Sequence, residues 1–312
     1  MFLDQNLEEL DFGKSKVKRD DFGNCGLCGC ITRWKDVKLN KNICSEECGS
    51  QLWSQEFSDK PELVREYNYR EYTDVIENEV RGYSVFSNVS KDILIVVHNQ
   101  LDYVKQCIES VQAVTQNYTL HVWDNGSDVE TKNYLLSLGN KINLTRTEEN
   151  LGFIIPNNRM FEKARGEYTI LLNSDTIVSE GWDSVMISYL RRPNMGVVGY
   201  LGGVLNSEAV GDRAKYGYDI DYVMGWCMCF KRDLFETLFD EKNLEFAYCE
   251  DADFCLRVKE NGLKCYALHT PLVHHFGNKT ANQVAQKRDI TETFKKNHFY
   301  MKTRWSHILE NR

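Results

Sequence analysis

Short apolar runs alternate with longer polar segments from Asp92 onward. Runs of this kind that are rich in β-branched residues are typical of strands covered on both faces of a sheet. They lie at residues 93–97, 120–123, 168–172, 197–200 and 224–230. The intervening residues 101–114 and 128–138 have the spacing of amphipathic helices. The alternation predicts an α/β fold with a mostly parallel central sheet and right-handed crossovers.

Two regions of different character precede this α/β pattern. Residues 1–52 hold a cluster of cysteines and show little hydrophobic periodicity. Residues 53–90 are highly charged and rich in tyrosine, and Pro61 suits the first turn of a helix, where its missing N–H is not needed. We therefore predict a cysteine-rich module over 1–52 and a helical connector over 53–90. The remaining residues 91–312 form one α/β domain with a C-terminal helical tail.

The charge and hydropathy of the chain disfavour several classes of protein. The net charge is -8, and such an acidic balance disfavours a broad surface for nucleic-acid phosphates while allowing a local basic patch. No apolar run approaches the roughly 18–20 residues needed to cross a bilayer, and the acidic N-terminus shows no secretory signal. We expect a cytoplasmic protein without a transmembrane segment, in which the thiols are reduced.

Polar side chains follow three successive predicted strands. His98 and Asn99 follow the first strand, Asp-Asn-Gly-Ser at 124–127 follows the second, and Asn-Ser-Asp at 173–175 follows the third. Asp and Asn are also common in ordinary turns after strands. In open α/β sheets, however, ligands bind at the carboxyl ends of the strands. Three such ends in succession favour a shared binding crevice.

Asp175 is the candidate for a metal contact in this crevice. A carboxylate at a strand end can hold Mg²⁺ or Mn²⁺, which prefer oxygen ligands and leave positions open for substrate phosphates. A divalent cation at this position stabilises the charge that a diphosphate leaving group acquires as its bond to a sugar breaks.

Two further segments carry candidate chemistry. Glu-Asp-Ala-Asp at 250–253 opens a predicted helix, so Asp251 is either a helix cap favoured by the dipole or a general base. His274 and His275 follow a predicted strand over 265–268 and stand just before Gly277. A lone histidine there is usually structural. A pair downstream of the carboxylates is as compatible with contact to phosphate or metal as with a structural role.

These segments resemble family 2 glycosyltransferases of the GT-A fold, especially the rhamnosyltransferase-like branch. Each segment alone is weakly specific, but seven occur in the family's order over residues 92 to 280. They are 95–99, 122–127, 150–153 with Asn157 and Asn158, 173–175, 225–228 with Lys231 and Arg232, 250–253, and His274 with Gly277.

The resemblance implies a donor site with residue roles that the spacing of the segments alone does not indicate. Its residues are Val97, Asn99, Asp124, Asn125, Asn150, Gly152, Phe153, Asn158, Asn173 and Ser174. Asp124 is expected to hydrogen-bond the nucleotide base, and the loop from Asn150 is expected to close over the ribose. Residues 173–175 correspond to the family's metal motif with Asn in first place, so Asp175 and the diphosphate are expected to hold the metal. Residues 154–156 depart from the usual glycine-rich sequence, which leaves the donor preference open.

The resemblance also assigns the reaction. Asp251 corresponds to the catalytic base with Glu250 beside it, His274 to a residue that contacts metal or diphosphate, and Trp226 and Asp253 to the acceptor side. The implied enzyme is an inverting, hexosyl-type transferase that uses Mn²⁺ or Mg²⁺. Its partners are a nucleotide-sugar donor and an acceptor glycan, protein or other hydroxyl compound.

The resemblance stops before residue 90, where the cysteines carry a separate prediction. Cys25 and Cys28 form a Cys-x2-Cys pair, and Cys44 and Cys48 form a Cys-x3-Cys pair 15 residues later. Four thiolates suit one tetrahedral structural Zn²⁺, and the second pair resembles the helical half of a treble-clef finger. Cys30 is a spare or replaces Cys28, and free thiols are the simpler alternative. Acceptor binding, partner docking and bracing of the catalytic domain all remain open as roles.

Two other functions are compatible with the residues. A catalytically inactive sugar- or nucleotide-binding protein would keep the fold, although the presence of both Asp175 and Asp251 argues against it. The second is an enzyme that glycosylates nucleic-acid bases and is guided by the zinc module. The acidic balance of the chain disfavours this function.

Overall fold

The computed structural model describes residues 9–12, 15–24, 31–36, 41–42, 88–270, 272–277 and 291–309. The chain divides into two compact units, Met1–Gly82 and Tyr83–Arg312. Apart from residues 88–90, the predicted connector over 53–90, with Pro61, lies outside the described residues.

The first unit contains a four-stranded antiparallel sheet. Its strands are β1 (Glu9–Phe12), β2 (Ser15–Asn24), β3 (Ile31–Asp36) and β4 (Lys41–Asn42), and they neighbour one another in chain order. Because β2 and β4 both run antiparallel to β3, their carboxyl ends point towards the same end of the sheet. The predicted zinc ligands Cys25, Cys28, Cys44 and Cys48 lie outside the described residues.

The second unit is built on a seven-stranded sheet. Its strands are β5 (Lys91–Val97), β6 (Tyr118–Asn125), β7 (Asn143–Thr147), β8 (Tyr168–Leu172), β10 (Met195–Gly199), β14 (Cys227–Lys231) and β15 (Lys264–Ala267). The order across the sheet is β15-β10-β14-β8-β5-β6-β7. All neighbours are parallel except β14, which is antiparallel to both β10 and β8. The mostly parallel sheet expected from the sequence is therefore confirmed.

Shorter strands and six helices complete the described part of this unit. The short strands are β9 (Thr176–Val178), β11 (Gly202–Leu205), β12 (Gly211–Lys215), β13 (Tyr222–Val223) and β16 (Val273–His275). The helices are α1 (Leu101–Val114), α2 (Val129–Ser137), α3 (Ile154–Lys163), α4 (Trp182–Leu190), α5 (Glu250–Glu260) and α6 (Thr291–Leu309). Within the ranges described, no helix is both long and apolar enough to cross a membrane.

The apolar runs become the core of the sheet. All five residues of β8 are buried, and Ile93, Ile95 and Val97 of β5 have no solvent exposure. Strand β6 extends past its apolar run to Asn125, because Asp124 and Asn125 continue the ladder with β7. Backbone pairing, which side-chain hydropathy does not report, therefore sets the end of this strand.

Only part of the predicted run at 224–230 is a strand, because β14 begins at Cys227. Strand β13 pairs with β11 in a separate three-stranded sheet, and the chain then enters β14 of the main sheet. Residues 224–226 lie between these strands, where the chain changes sheets. Gly225 and Trp226 are thereby placed beside the carboxyl end of β8, since the Asn173 N–H donates to the Trp226 carbonyl at 2.8 Å.

Candidate functional site

A cleft of about 440 Å³ opens at the carboxyl ends of β5, β6 and β8. Its volume is in the usual range for small-molecule sites. Of the predicted site residues, those that line it are Asn125, Asn150, Gly152, Phe153, Asn173, Ser174, Asp175, Trp226, Glu250 and Asp251. The structure thus brings together the predicted strand ends and the start of α5 in one crevice.

Asn99 stands just behind the cleft and ties two strand ends together. Its N–H donates to the Ser127 hydroxyl at 2.9 Å, and its side-chain oxygen accepts from the Asp128 N–H at 2.7 Å. It adopts a left-handed conformation with φ of 59°, which Asn tolerates better than most residues. Asn99 therefore fixes the β5 loop against the β6 loop.

Asp124 is fully buried and is already engaged. One carboxylate oxygen accepts from the Ser127 N–H at 3.0 Å, and the other forms an ion pair with Arg146 of β7. Neither Asp124 nor Val97 lines the cleft, so in this structure Asp124 acts on the β6 turn rather than on the cavity directly.

Asn125 holds the loop at 150–152 against the sheet. Its amide nitrogen donates to the Asn150 side-chain oxygen at 2.8 Å and to the Gly152 carbonyl at 2.7 Å. Its side-chain oxygen accepts from the Leu151 N–H at 2.8 Å. Three hydrogen bonds from one buried amide make this loop a fixed wall of the cleft.

Gly152 is required by a close backbone crossing. It has φ of +83°, and a Cβ on it would lie 2.3 Å from the Phe246 carbonyl oxygen. The same carbonyl accepts from the Phe153 N–H at 2.6 Å, at the start of α3. Only glycine allows this approach, which joins the donor-side loop to the segment before α5.

Asn158 lies outside the cleft and has a structural partner. Its amide donates to the Phe239 carbonyl at 3.0 Å and to Glu241 at 2.9 Å, while its oxygen accepts from the Phe239 N–H at 2.8 Å. Asn158 therefore does not line the cleft, although the resemblance implies a position over the ribose.

The histidine beside Asp175 is His275 rather than His274. The His275 Nε2 lies 3.1 Å from a carboxylate oxygen of Asp175, and its ring stacks on Trp226 at 4.8 Å between centroids. His274 is exposed, packs against Phe276 and does not line the cleft. Because successive residues of a strand point to opposite faces, only one of two adjacent histidines in β16 can face Asp175. In this structure the residue that faces Asp175 is therefore His275, and not the predicted His274.

Asp251 and Glu250 lie at the start of α5 and line the same cleft. The Asp251 carboxylate accepts from the Gly225 N–H at 2.9 Å and from the Ala252 N–H at 2.8 Å. Burial raises the pKa of Asp251, and these backbone bonds oppose that increase. Burial first, and the charge of Asp251 second, raise the pKa of Glu250 to about 8.

Asp253 faces away from the cleft. It is fully buried, accepts from the Arg257 guanidinium at 2.8 Å and from the Trp305 indole N–H at 3.1 Å. The predicted place of Asp253 on the acceptor side is therefore corrected, because residues two apart on a helix lie on different faces. It joins α5 to α6.

The loop before α5 has an unusual backbone. Phe246, Tyr248 and Cys249 have φ of 61°, 77° and 72°. Each non-glycine residue in this region costs on the order of 1–3 kcal/mol, so the surrounding structure must hold the loop.

Asn297 of α6 provides that support. Its side-chain oxygen accepts from the Glu245 N–H at 2.9 Å, and its amide donates to the carbonyls of Glu245, Ala247 and Tyr248 at 2.9–3.0 Å. Asn297 is fully buried, and it secures the loop that leads into Glu250 and Asp251. Sequence reasoning missed it, because an isolated Asn in a polar helix carries no local signal.

The charge balance of the cleft is one-sided. Asp175, Glu250 and Asp251 line it together with three histidines, and the described lining residues include neither Lys nor Arg. Any negatively charged ligand here needs a positive charge that the described lining does not provide.

Comparisons with known proteins agree with this architecture. Residues 92–239 match the family model described as glycosyl transferase family 2. The chain also resembles the crystal structure of GalNAc-T7 with UDP, GalNAc and Mn²⁺, with a TM-score of 0.52 and 16% identity. That likeness covers 60% of this chain and 44% of GalNAc-T7, and it supports the fold. The expected GT-A fold is confirmed, and the rhamnosyltransferase-like branch stays a prediction.

Two sequence relatives are uncharacterized proteins of Mycobacterium tuberculosis (strain H37Rv) and Mycobacterium bovis. Each is 28% identical over 150 residues, which is 43% of this chain and 57% of the relative. The chain thus matches little more than half the length of these relatives. The family match ends at residue 239, so Asp251 and α6 lie beyond it.

Replacing Asn297 with Ala tests the support of the loop. The substitution leaves the Glu245 N–H and several carbonyls without their partner, at about 1–3 kcal/mol for each buried group that stays unsatisfied. We expect urea unfolding to show a loss of stability of at least about 2 kcal/mol. Asn261→Ala is the control, because its amide makes one exposed bond to the Arg257 carbonyl and its loss should cost under about 0.5 kcal/mol. Equal losses in the two variants would contradict the role of Asn297.

Proposed function

We propose that the glycosyltransferase family 2 domain of this chain transfers a sugar from a nucleoside-diphosphate sugar to an acceptor hydroxyl, with inversion and with Mn²⁺ or Mg²⁺. The observation that carries the proposal is the pair of carboxylates in one cleft. Asp175 lies at a strand end beside His275, and Asp251 lies at the start of α5. The first suits a leaving diphosphate and the second suits an attacking hydroxyl.

The residues around Asp175 fit a divalent cation. A carboxylate oxygen and an imidazole nitrogen 3.1 Å apart are ligands that Mn²⁺ accepts. Within the part of the chain that the structure describes, no group of three or more metal-ligating side chains occurs. Two protein ligands with the remaining positions open suit an ion that also binds substrate phosphates. When bound, the ion would offset the charge of the diphosphate.

Asp251 is the group proposed to accept the proton of the acceptor hydroxyl. The N–H groups of Gly225 and Ala252 hold its carboxylate in place, and the carboxylate borders the cleft. Its raised pKa makes it a stronger base than a solvated carboxylate. The pKa of Glu250, raised to about 8, favours its protonated form. The hydroxyl oxygen forms the new bond to the anomeric carbon as the bond to the diphosphate breaks on the opposite face.

The nucleotide side of the cleft is proposed to lie at the β5 and β6 ends. Asn125, Asn150 and Phe153 line this side, whereas Asn99 and Asp124 hold its loops from behind. Asp124 is therefore proposed to orient the turn that bears Asn125. A bond from Asp124 to a base would require its ion pair with Arg146 to rearrange.

The adjacent histidines give a matched test of the metal site. We expect Asp175→Ala to remove most of the Mn²⁺-dependent gain in nucleotide affinity, and His275→Ala to reduce it by at least about tenfold. His274→Ala should leave it unchanged, because this side chain is exposed and lies outside the cleft. Calorimetric titration with UDP, GDP and dTDP, with and without Mn²⁺, measures the gain. Equal effects of the two histidine variants, or a full gain in Asp175→Ala, would overturn the assignment.

Replacing Asp251 with Asn separates a base from a helix cap. An amide does not accept a proton near neutral pH, so we expect turnover to fall by roughly 10²–10⁴ while donor affinity is kept. Asn has one accepting side-chain oxygen, so it can keep only one of the two backbone N–H bonds, from Gly225 and Ala252, that Asp251 accepts. Loss of a purely structural role should therefore lower the melting temperature, whereas loss of the base lowers turnover in a folded variant. The wild-type kcat/KM should fall as the pH is lowered through the raised pKa of Asp251. Turnover near the wild-type level, in a variant with an unchanged melting temperature, would rule out Asp251 as the base.

A structural Zn²⁺ in the first unit remains our proposal from the sequence. The described strands support it in one respect: Cys25 follows the end of β2, Cys44 lies two positions after the end of β4, and both strands run in the same direction. We expect about one tightly bound zinc per chain, lost in Cys44→Ser. Elemental analysis of freshly purified protein that has met no chelator tests this, and absence of zinc would contradict it.

A further inference from the structure

The part of the cleft farthest from the strand ends has a different chemistry. Its walls come from the connection between β11 and β12, from β13 and the residue after it, and from one face of α6. The apolar and aromatic lining residues of this region are Leu205, Ala209, Val210, Tyr222, Met224, Tyr248, Phe294 and Met301, and His298 of α6 lines it beside Phe294. We call these apolar and aromatic residues the apolar wall.

The apolar wall begins directly at the proposed base. Ala252, the residue after Asp251, belongs to a buried cluster with Leu205, Ala209 and Met301. Met301 has no solvent exposure, and α6 is held to α5 by the bond from Trp305 to Asp253. A group lying on the wall would therefore be next to the Asp251 carboxylate.

The rim of the wall leaves apolar surface open to solvent. Phe294 is 42% exposed and Val210 is 39% exposed, although both line the cleft. Tyr248 meets the edge of Phe294 with 5.8 Å between ring centroids, so the ring is fixed rather than isolated. Exposed apolar surface that faces a concave site is typical of ligand contact.

The charge of the residues beside the apolar wall determines which class of acceptor can bind there. Glu250 and Asp251 border it, and no Lys or Arg occurs in the described lining. A phosphorylated or carboxylated acceptor would meet the Asp251 charge with no Lys or Arg in the described lining to offset it. A neutral molecule avoids this repulsion and gains free energy by covering the apolar surface.

We propose that the apolar wall binds an alkyl or aryl group of a neutral acceptor, whose hydroxyl then lies at Asp251. The inference rests on the proposed transferase function and adds the chemical class of the acceptor. Phe294 of α6 and Val210 of the β11–β12 connection are the residues that determine specificity. The acceptor supplies the hydroxyl, and its apolar group replaces water on these two side chains.

Phenyl and methyl β-D-glucopyranoside provide a matched pair of probes, because they differ only in the apolar group. Calorimetry of the full chain should show about tenfold tighter binding of the phenyl compound, equivalent to about 1.4 kcal/mol. We expect the preference to fall below about threefold in Phe294→Ala and in Val210→Ala. Phe299→Ala is the control, since Phe299 is on the same helix, is 72% exposed and does not line the cleft. The control should keep the full preference.

Three results would overturn the inference. They are equal affinity of the wild type for both glucosides, tighter binding of glucose 6-phosphate than of the phenyl compound, and an equal loss of preference in Phe299→Ala. Hydrolysis of UDP-, GDP- and dTDP-sugars with Mn²⁺, measured separately, distinguishes the two proposals. Hydrolysis without the phenyl preference contradicts the acceptor class alone, whereas the preference without hydrolysis or transfer contradicts the transferase.

Discussion

Repulsion among carboxylates is the constraint on which the arrangement of this cleft depends. Asp175, Glu250 and Asp251 line one cavity, and the described lining contributes neither Lys nor Arg to offset them. Each acid is accommodated differently. Burial and the neighbouring charge raise the pKa of Glu250 to about 8, which favours its protonated form. Asp251 lies on two backbone N–H groups in the first turn of α5, where the helix dipole favours negative charge. Asp175 has His275 and, in our proposal, a divalent cation.

The approach to α5 is strained. Placing Asp251 against the Gly225 N–H requires the chain to pass beneath Gly152 and to turn through three residues with positive φ. Such a turn is unfavourable by itself, and the bonds from Asn297 offset its cost. Helix α6 therefore has two roles: it supports the base from behind through Asn297, and it forms the apolar wall through Phe294 and Met301.

The sequence predicted the fold well because the strands are defined by local hydropathy. Residues 168–172 and 101–114 have the predicted bounds, and three polar strand ends do meet in one cleft. The prediction failed where long-range geometry decides. The choice between His274 and His275 depends on the register of β16 against β9.

Pairings between distant residues were equally invisible to the sequence. Asp253 is joined to Trp305, Asn158 to Phe239, and Asn297 to the loop at 245–248. Each is a polar residue whose partner lies more than 40 positions away, and a helical pattern does not report which distant group a side chain meets. The acidic motif therefore identified the helix that carries the proposed base, while only the structure showed that Asp253 faces away from the cleft.

The central claim is that the cleft binds a nucleoside diphosphate through a cation that offsets its acidic lining. Calorimetric titration of the wild-type chain with UDP, GDP and dTDP, first with Mn²⁺ and then with EDTA, tests it most directly. We expect at least one nucleotide to bind in the presence of Mn²⁺. Its affinity should fall at least about tenfold, or about 1.4 kcal/mol, when EDTA replaces Mn²⁺. Equal affinity in both conditions, or no binding of any nucleotide with Mn²⁺, would contradict it.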